Sequence, residues 1–336
     1  MAIPEVSTSL FGHYLAWMYQ CMYAFNTIKS YTTAVKMWCR ANRRPDPTLD
    51  PESKSPDIAV ADIWQAIKRL SKLPVRRFAV TFAQLDDTCR SCSTEADLTI
   101  AGIPSELVAR NIAAATCLAW FGLLRGSEYT TDTHVPFNRQ IHACRGDVKF
   151  FPNIQDPQYI QFTVKNCKTD NIDRHGFVTT VYRNTKLDSS GHISKTCAVM
   201  RLRHLFLTDP LPESDPLFRF NDPINHGART PASIRPRPRD SSHRTMTKLF
   251  SKLLVLNGYN DQNISSHSFR RGGATALFRT GATEFMVMQA GRWQSSCWKL
   301  YVETDHTFYA GFASQMAQDT TAGVRWDADT VPTFVR

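Results

Sequence analysis

The most constraining feature of this sequence is the stretch Ile112–Leu124, IAAATCLAWFGLL, a nearly continuous apolar run of thirteen residues. A helix needs about 20 apolar residues to cross a bilayer, so the run reads as a buried helix and not a membrane span. A chain of 336 residues can bury a core around such a helix without disulfide or metal staples. At about 150 residues per domain it reads as two domains. Hydrophobic residues make up 42% and charged residues 21%, a globular usage that excludes a disordered chain. The opening MAIPEVSTSLF has no basic segment followed by an apolar stretch, so no secretory signal is expected. The nine scattered cysteines then read as reduced, mostly packed thiols of an intracellular protein. Cys89 and Cys92 have C-x-x-C spacing, but no second pair at ligand spacing lies nearby, and a metal is not expected there.

The formal charge is +10, which points to an anionic partner without choosing between nucleic acid and an acidic membrane. Its distribution says more. Between His226 and Lys252 seven Lys/Arg, among them Arg235, Arg237, Arg239, Arg244 and Lys248, face one acid, Asp240. Pro231, Pro236 and Pro238 make the first half of this segment an extended loop. Guanidinium groups on an extended loop suit a phosphate backbone; a solvated basic loop with no dedicated partner is the other reading.

The first 75 or so residues read as helices. Phe11–Tyr23 is rich in aromatic residues and Met, and Asn26 is a suitable N-cap for a helix with Ile28, Tyr31, Ala34, Val35, Trp38 and Cys39 on one face. Four prolines in Arg43–Pro56 make a loop, and Asp57–Leu73 is helical again. From Phe78 the pattern is mixed. Helices are expected over about Phe82–Cys92, Ser105–Leu123, His243–Asn257 and His267–Phe278, the last capped by Ser265 or Ser266. Tyr159–Val164 and Phe177–Tyr182 alternate as strands around a polar hairpin loop ending at Gly176. Gly281 and Gly291 break the pattern, and a last helix is expected to contain Tyr301. The fold class is therefore mainly α with a small antiparallel β-sheet (α+β).

Four local features follow in order: LLRGSEY, with Arg125 at the end of the apolar helix and Glu128 three residues on; the hairpin lysines Lys165 and Lys168; SSHSFRRGGAT, with His267-x-x-Arg270; and GRWQSSCWKLYV, with Arg292, Trp293 and Tyr301. Each alone has a plain structural explanation, such as a helix cap, a solvated lysine or a core tyrosine. Together, in this order, they resemble the tyrosine recombinase (phage-integrase) family, whose pattern is an Arg in a G-L-R-x-S/T-E context, a hairpin Lys, H-x-x-R, and a His or Trp nine residues before a nucleophilic Tyr. By that resemblance Arg125, Lys168, His267, Arg270, Arg292 and Tyr301 are the catalytic set, with Lys165 as the fallback lysine and Glu128 and Trp293 supporting. Nine residues before Tyr301 stands Arg292 in place of His or Trp, with Trp293 adjacent. The G-R-W form looks like the recombinases of eukaryotic mobile elements, the Crypton and DIRS-like groups.

The resemblance covers about Arg77–Gln318. It implies a helical core-binding domain over residues 1–75, a catalytic domain over 76–318 and a tail over 319–336. It also implies site-specific cleavage and rejoining of double-stranded DNA through a 3′-phosphotyrosyl intermediate, in integration or excision of a mobile element. A domesticated DNA-binding protein that has lost strand transfer is the alternative. The chemistry suits the residues. Two guanidiniums can clamp the non-bridging oxygens of a pentacoordinate phosphorus as paired donors, which Lys cannot. Tyr301 would attack, His267 would take its proton, Lys168 would protonate the leaving 5′ oxygen, and Arg292 or Trp293 would help hold the phosphate. No Walker loop and no two-metal carboxylate cluster is present in the sequence, so no cofactor, ATP or metal is expected. Phe308, Phe312 and Met316 recur at four-residue steps, and by resemblance this helix packs in trans within a homotetramer on DNA. The protein is expected to be intracellular, nuclear in a eukaryotic host, with no membrane partner.

Overall fold

A computed structural model describes residues 6–71, 77–132, 136–165, 176–186, 194, 196–221 and 241–303. The chain divides into two compact units, Met1–Val75 and Arg76–Arg336.

Among the described residues the first unit has three helices, α1 (Thr8–Gln20), α2 (Phe25–Ala41) and α3 (Ile58–Leu70). Side-chain caps fix two of the starts: Ser7 accepts from the Leu10 amide, and Asp57 accepts from that of Val60. Phe11, Leu15 and Met18 fall on one face of α1 and form a core with Ile28, Val60 and Ile67. Asn26 is not the cap of α2. The helix starts two residues earlier than that cap would give, at Phe25, whose ring lies 5.0 Å from Trp64, and Asn26 falls within the first turn. Ile28 and Cys39 of the expected apolar face are buried, whereas Tyr31 and Trp38 are exposed.

The second unit comprises α4 (Phe82–Ser91), α5 (Glu95–Ile100), α6 (Glu106–Phe121), α7 (Gly126–Tyr129), β1 (Val148–Phe151), β2 (Tyr159–Val164), β3 (Phe177–Tyr182), α8 (Ala198–Thr208), α9 (His243–Leu256), α10 (Ser266–Arg279) and α11 (Glu284–Gly291). The apolar run is α6, capped by Ser105 and buried from Asn111 through Trp120. It packs against α8 and α10. Gly273 allows the α10 contact: a Cβ there would stand 2.0 Å from the Trp120 carbonyl oxygen. The three strands form one antiparallel sheet in the order β1-β2-β3, with Phe162 opposite both Val148 and Thr179. On β2, Ile160, Phe162 and Val164 are buried and the residues between them less so, the period-2 signature of a sheet with one face on the core. The unit is mainly helical with a small antiparallel sheet. Cys89 and Cys92 are both in its core, and Cys89 Sγ lies 3.5 Å from that of Cys117.

Candidate functional site

Arg125 does not end the apolar helix. Helix α6 closes at Gly122, and Leu123 takes a left-handed φ of 48° that reverses the chain. Arg125 is the extended residue capping the one-turn helix α7. Its backbone amide donates to Glu128 Oε2 and its Nη1 to Glu128 Oε1, both at 2.8 Å. The three-residue spacing in the sequence is thus a closed loop around one carboxylate.

Helix α10 brings Arg270 to the same place. Its first turn lies on α7, where a Cβ on Gly126 would be 2.6 Å from Ser266 Oγ. The Arg270 side chain has no exposed surface. Nη1 donates to the Leu123 carbonyl and Nη2 to the Gly291 carbonyl, each at 2.5 Å. Glu128 Oε2 stands 4.0 Å from Nη1. Burial, then the Arg125 charge, lowers the Arg270 pKa to about 10, against the pull of Glu128, so the group remains a cation at neutral pH. Burial alone would raise the Glu128 pKa, but Arg292, the Arg125 amide, Arg270 and Arg125 together hold it below the ordinary carboxylate value. His267, one turn before Arg270, lies at the surface. Partial desolvation, then the charges of Arg270 and Arg125, lowers its pKa.

Tyr301 is not in a helix proper. It caps a 3₁₀ turn, Ser296–Leu300, started by the Ser295 side chain, and its amide donates to the Trp298 carbonyl at 2.8 Å. Two residues with no family-pattern signal hold this turn. Arg271 donates to the Leu300 carbonyl and to Glu303, and Thr275 donates to the Tyr301 carbonyl and accepts from the Glu303 amide. The Arg270-Arg271 doublet was the only sequence trace of this anchor. The Tyr301 ring lies 5.1 Å from that of Trp293, and the Arg270 guanidinium carbon is 4.3 Å from the Trp293 centroid and 5.4 Å from that of Tyr301. Gly291 makes room for the indole, because a Cβ there would come within 1.7 Å of a Trp293 ring carbon. Trp293 Nε1 is buried with no hydrogen-bond partner among the described residues.

Arg292 and Trp293 take separate places. Arg292 has a left-handed φ of 57° and points inward, donating to Glu128 Oε2 at 2.7 Å. Trp293 is the one that lies on Arg270 and Tyr301.

Lys165 is held at the end of β2, with its Nζ 2.8 Å from both Asp147 Oδ2 and the Arg139 carbonyl and 3.2 Å from Cys144 Sγ. Lys168 lies outside the described residues, as do Arg235, Arg237 and Arg239 of the basic loop and Phe308, Phe312 and Met316 beyond Tyr301. Arg244 and Lys248 are on α9. With Arg77, Lys252, His243 and His267 they line an open cleft of about 1020 Å³ beside the start of α10.

No protein-family model matches the sequence, and no curated protein does. Solved structures do match in fold. The XerH site-specific recombinase, in a post-cleavage complex with its palindromic difH substrate, superposes with a TM-score of 0.55 over 93% of this chain and 71% of that one, at 13% identity. The Tn1549 transposon integrase in complex with circular intermediate DNA gives 0.49 over 94% and 86%, at 12% identity. A lambda integrase dimer bound to a COC′ core site gives 0.47 over 89% and 65%, at 13% identity. The likeness to XerH identifies the architecture as the tyrosine recombinase fold.

Proposed function

We propose that this chain is a DNA strand-transferase that cleaves and rejoins duplex DNA through a phosphotyrosyl intermediate. One observation carries the reading: a buried, cationic Arg270 shares Glu128 with Arg125 and lies beneath the rings of Trp293 and Tyr301. A core needs no two guanidiniums beside a phenol, and burying them is costly. Transfer of a phosphoryl group to that phenol uses all three. The XerH site-specific recombinase of the same fold is in a post-cleavage complex with its palindromic difH substrate, which supports cleavage at a specific site.

In the proposed reaction the Tyr301 oxygen attacks the scissile phosphorus. The Oη–P bond forms, the P–O5′ bond breaks, and the DNA is left with a 3′-phosphotyrosyl link and a 5′ hydroxyl. Arg125 and Arg270 neutralise the charge that grows on the non-bridging oxygens, and the unpartnered Trp293 Nε1 adds a third donor. His267 takes the phenol proton, and Lys168 gives one to the departing oxygen. The linkage energy is kept in the phosphotyrosyl bond, so a 5′ hydroxyl from another strand can reverse the step. Tyr301 lies over the Arg270 of its own chain, which favours cleavage in cis. The finer assignment, to mobile elements of eukaryotes, rests on the G-R-W sequence.

The test is a nicked suicide duplex drawn from the DNA flanking the gene. Wild type should form a covalent adduct, and Tyr301→Phe should bind equally well and form none. If wild type yields no adduct on that duplex while binding it, the reading gives way to a DNA-binding protein with a recombinase fold.

A further inference from the structure

The Arg292 side chain is 3% exposed, and its hydrogen bonds run to four separate elements. Nη2 donates to Glu128 Oε2 at 2.7 Å on α7 and to the Leu123 carbonyl at 3.1 Å after α6. Nη1 donates to the Gly122 carbonyl at 3.2 Å, to Thr179 Oγ1 of β3 at 3.3 Å and to the Ala290 carbonyl of α11 at 3.3 Å. Its two terminal nitrogens are committed to these partners, of which Ala290 alone is exposed, and Nε has no partner among the described residues. We infer that Arg292 is a positioning residue that sets the charge and orientation of the Arg125–Arg270 clamp and ties the β3 strand to it, without touching the phosphate. The inference rests on the strand-transfer reading above.

Three relationships support it. The first is electrostatic. Among the described residues, Glu128 is a carboxylate that faces Arg125, Arg270 and Arg292 together. Its Oε2 is 2.7 Å from Arg292 but 4.0 Å from Arg270. Arg292 thus holds Glu128 Oε2 more closely than Arg270 does, so the carboxylate offsets the Arg270 charge less than it would in a direct pair. Without Arg292 the carboxylate would pair more closely with Arg270 and cancel it.

The second is geometric. Arg270 and Arg292 share the Leu123 carbonyl, at 2.5 and 3.1 Å. A carbonyl oxygen has two lone pairs and can accept both, so the position of one guanidinium fixes that of the other. The third is conformational. The left-handed φ of 57° at Arg292 turns the chain so that the next residue, Trp293, lies over Arg270. That conformation is unfavourable for a non-glycine residue, and the bonds of the Arg292 side chain hold it. A lysine would put one point charge where a planar fork reaches Glu128, Leu123, Gly122 and Thr179 together.

The experiment compares two suicide duplexes, one with a natural scissile phosphodiester and one with a methylphosphonate, in which a neutral methyl replaces a charged non-bridging oxygen. At saturating DNA, Arg292→Ala should slow adduct formation on the phosphodiester by about 10²-fold or more. On the neutral linkage, which asks little of the clamp, the loss should be under about 10-fold. DNA affinity should stay within about 3-fold, since binding and the chemical step are separate quantities. Equal loss on both linkages would mean a merely structural role and would overturn the inference. A direct phosphate contact is tested with Glu128→Gln: action through Glu128 makes the double variant no slower than the slower single variant. Multiplying effects would place Arg292 on the phosphate and would also overturn it. If the alanine variant does not fold, as judged by thermal melting, Arg292→Lys is read by the same linkage ratio. Absence of a wild-type adduct would sink the strand-transfer reading, and this inference with it. A wild-type adduct with the wrong ratio sinks this inference alone.

Discussion

The guanidinium carbon of Arg270 lies 4.3 Å from the centroid of the Trp293 indole, and that indole is 5.1 Å from the Tyr301 ring. The cation is therefore roofed by two aromatic side chains from further along the chain. A guanidinium over an aromatic face is stabilised by the ring quadrupole, by up to about 2 kcal/mol when desolvated. The same roof keeps water off Arg270, where a lower local dielectric strengthens its pull on an anion.

The indole N–H of Trp293 is buried and without a partner among the described residues. A buried donor left unpaired costs about 1–3 kcal/mol, which is retained where a ligand satisfies it. Trp293→Phe keeps an aromatic ring over Arg270 and removes the donor. Adduct formation at saturating DNA should fall about 10²-fold, with thermal stability changed by less than about 1.5 kcal/mol. An unchanged cleavage rate would show that the N–H does not reach the phosphate.

Glu128 gives a stability signature in acid. Its side chain is fully buried and its folded pKa lies below the ordinary 4.5. A carboxylate with a depressed folded pKa contributes stability that is present above the unfolded value and is lost as pH falls through the folded one. Wild type should therefore lose stability below about pH 4.5 more steeply than Glu128→Gln. At neutral pH the variant should be less stable by roughly 3 kcal/mol, because three guanidiniums lose their shared counter-charge. Urea melts of both proteins across pH 3–7 read the difference, and parallel profiles would remove Glu128 from the network.

The features legible in the sequence were those whose signal is local. Tyr159–Val164 alternates with period 2 because one face of β2 is buried, and the strand lies where the alternation put it. Arg125 and Glu128 are three residues apart, so a side chain closing back on its own backbone follows from spacing. Strand β1 escaped because Val148–Phe151 is four residues with two adjacent phenylalanines and no alternation. Asn26 misled because Phe25 finds Trp64 across the unit, and that contact outweighs a capping preference. The place of Arg292 was out of reach. It depends on a left-handed backbone and on partners at Gly122, Leu123, Glu128 and Thr179, more than a hundred positions away in the chain.

His267 has its pKa lowered by partial desolvation and by Arg270 and Arg125. A lowered histidine pKa means that the neutral, proton-accepting form persists below pH 6.5. If His267 receives the Tyr301 proton, single-turnover cleavage should rise with pH through an inflection below 6.5 and be flat at pH 7. His267→Asn should abolish that inflection and slow the step by about 10²–10⁴-fold. An inflection that survives the substitution would assign the base elsewhere.

Arg244 and Lys248 stand four residues apart on α9 and line the same open cleft as Arg77 and Lys252. Side chains at that spacing share one helix face, and α9 meets the cleft with cations along that face. If the cleft carries the DNA backbone, each cation releases a condensed counterion on binding, and log K falls against log salt with a slope of about 0.9 per phosphate contact. Arg244→Ala with Lys248→Ala should lower the slope by about 1.8 and weaken cognate and unrelated duplexes alike. A loss confined to the cognate duplex, with the slope unchanged, would instead mean that this face of α9 reads bases. Two phosphate contacts of this kind are sequence-blind, whereas a contact to a base edge discriminates by about 1–3 kcal/mol, so the pair of measurements separates the two roles of the helix.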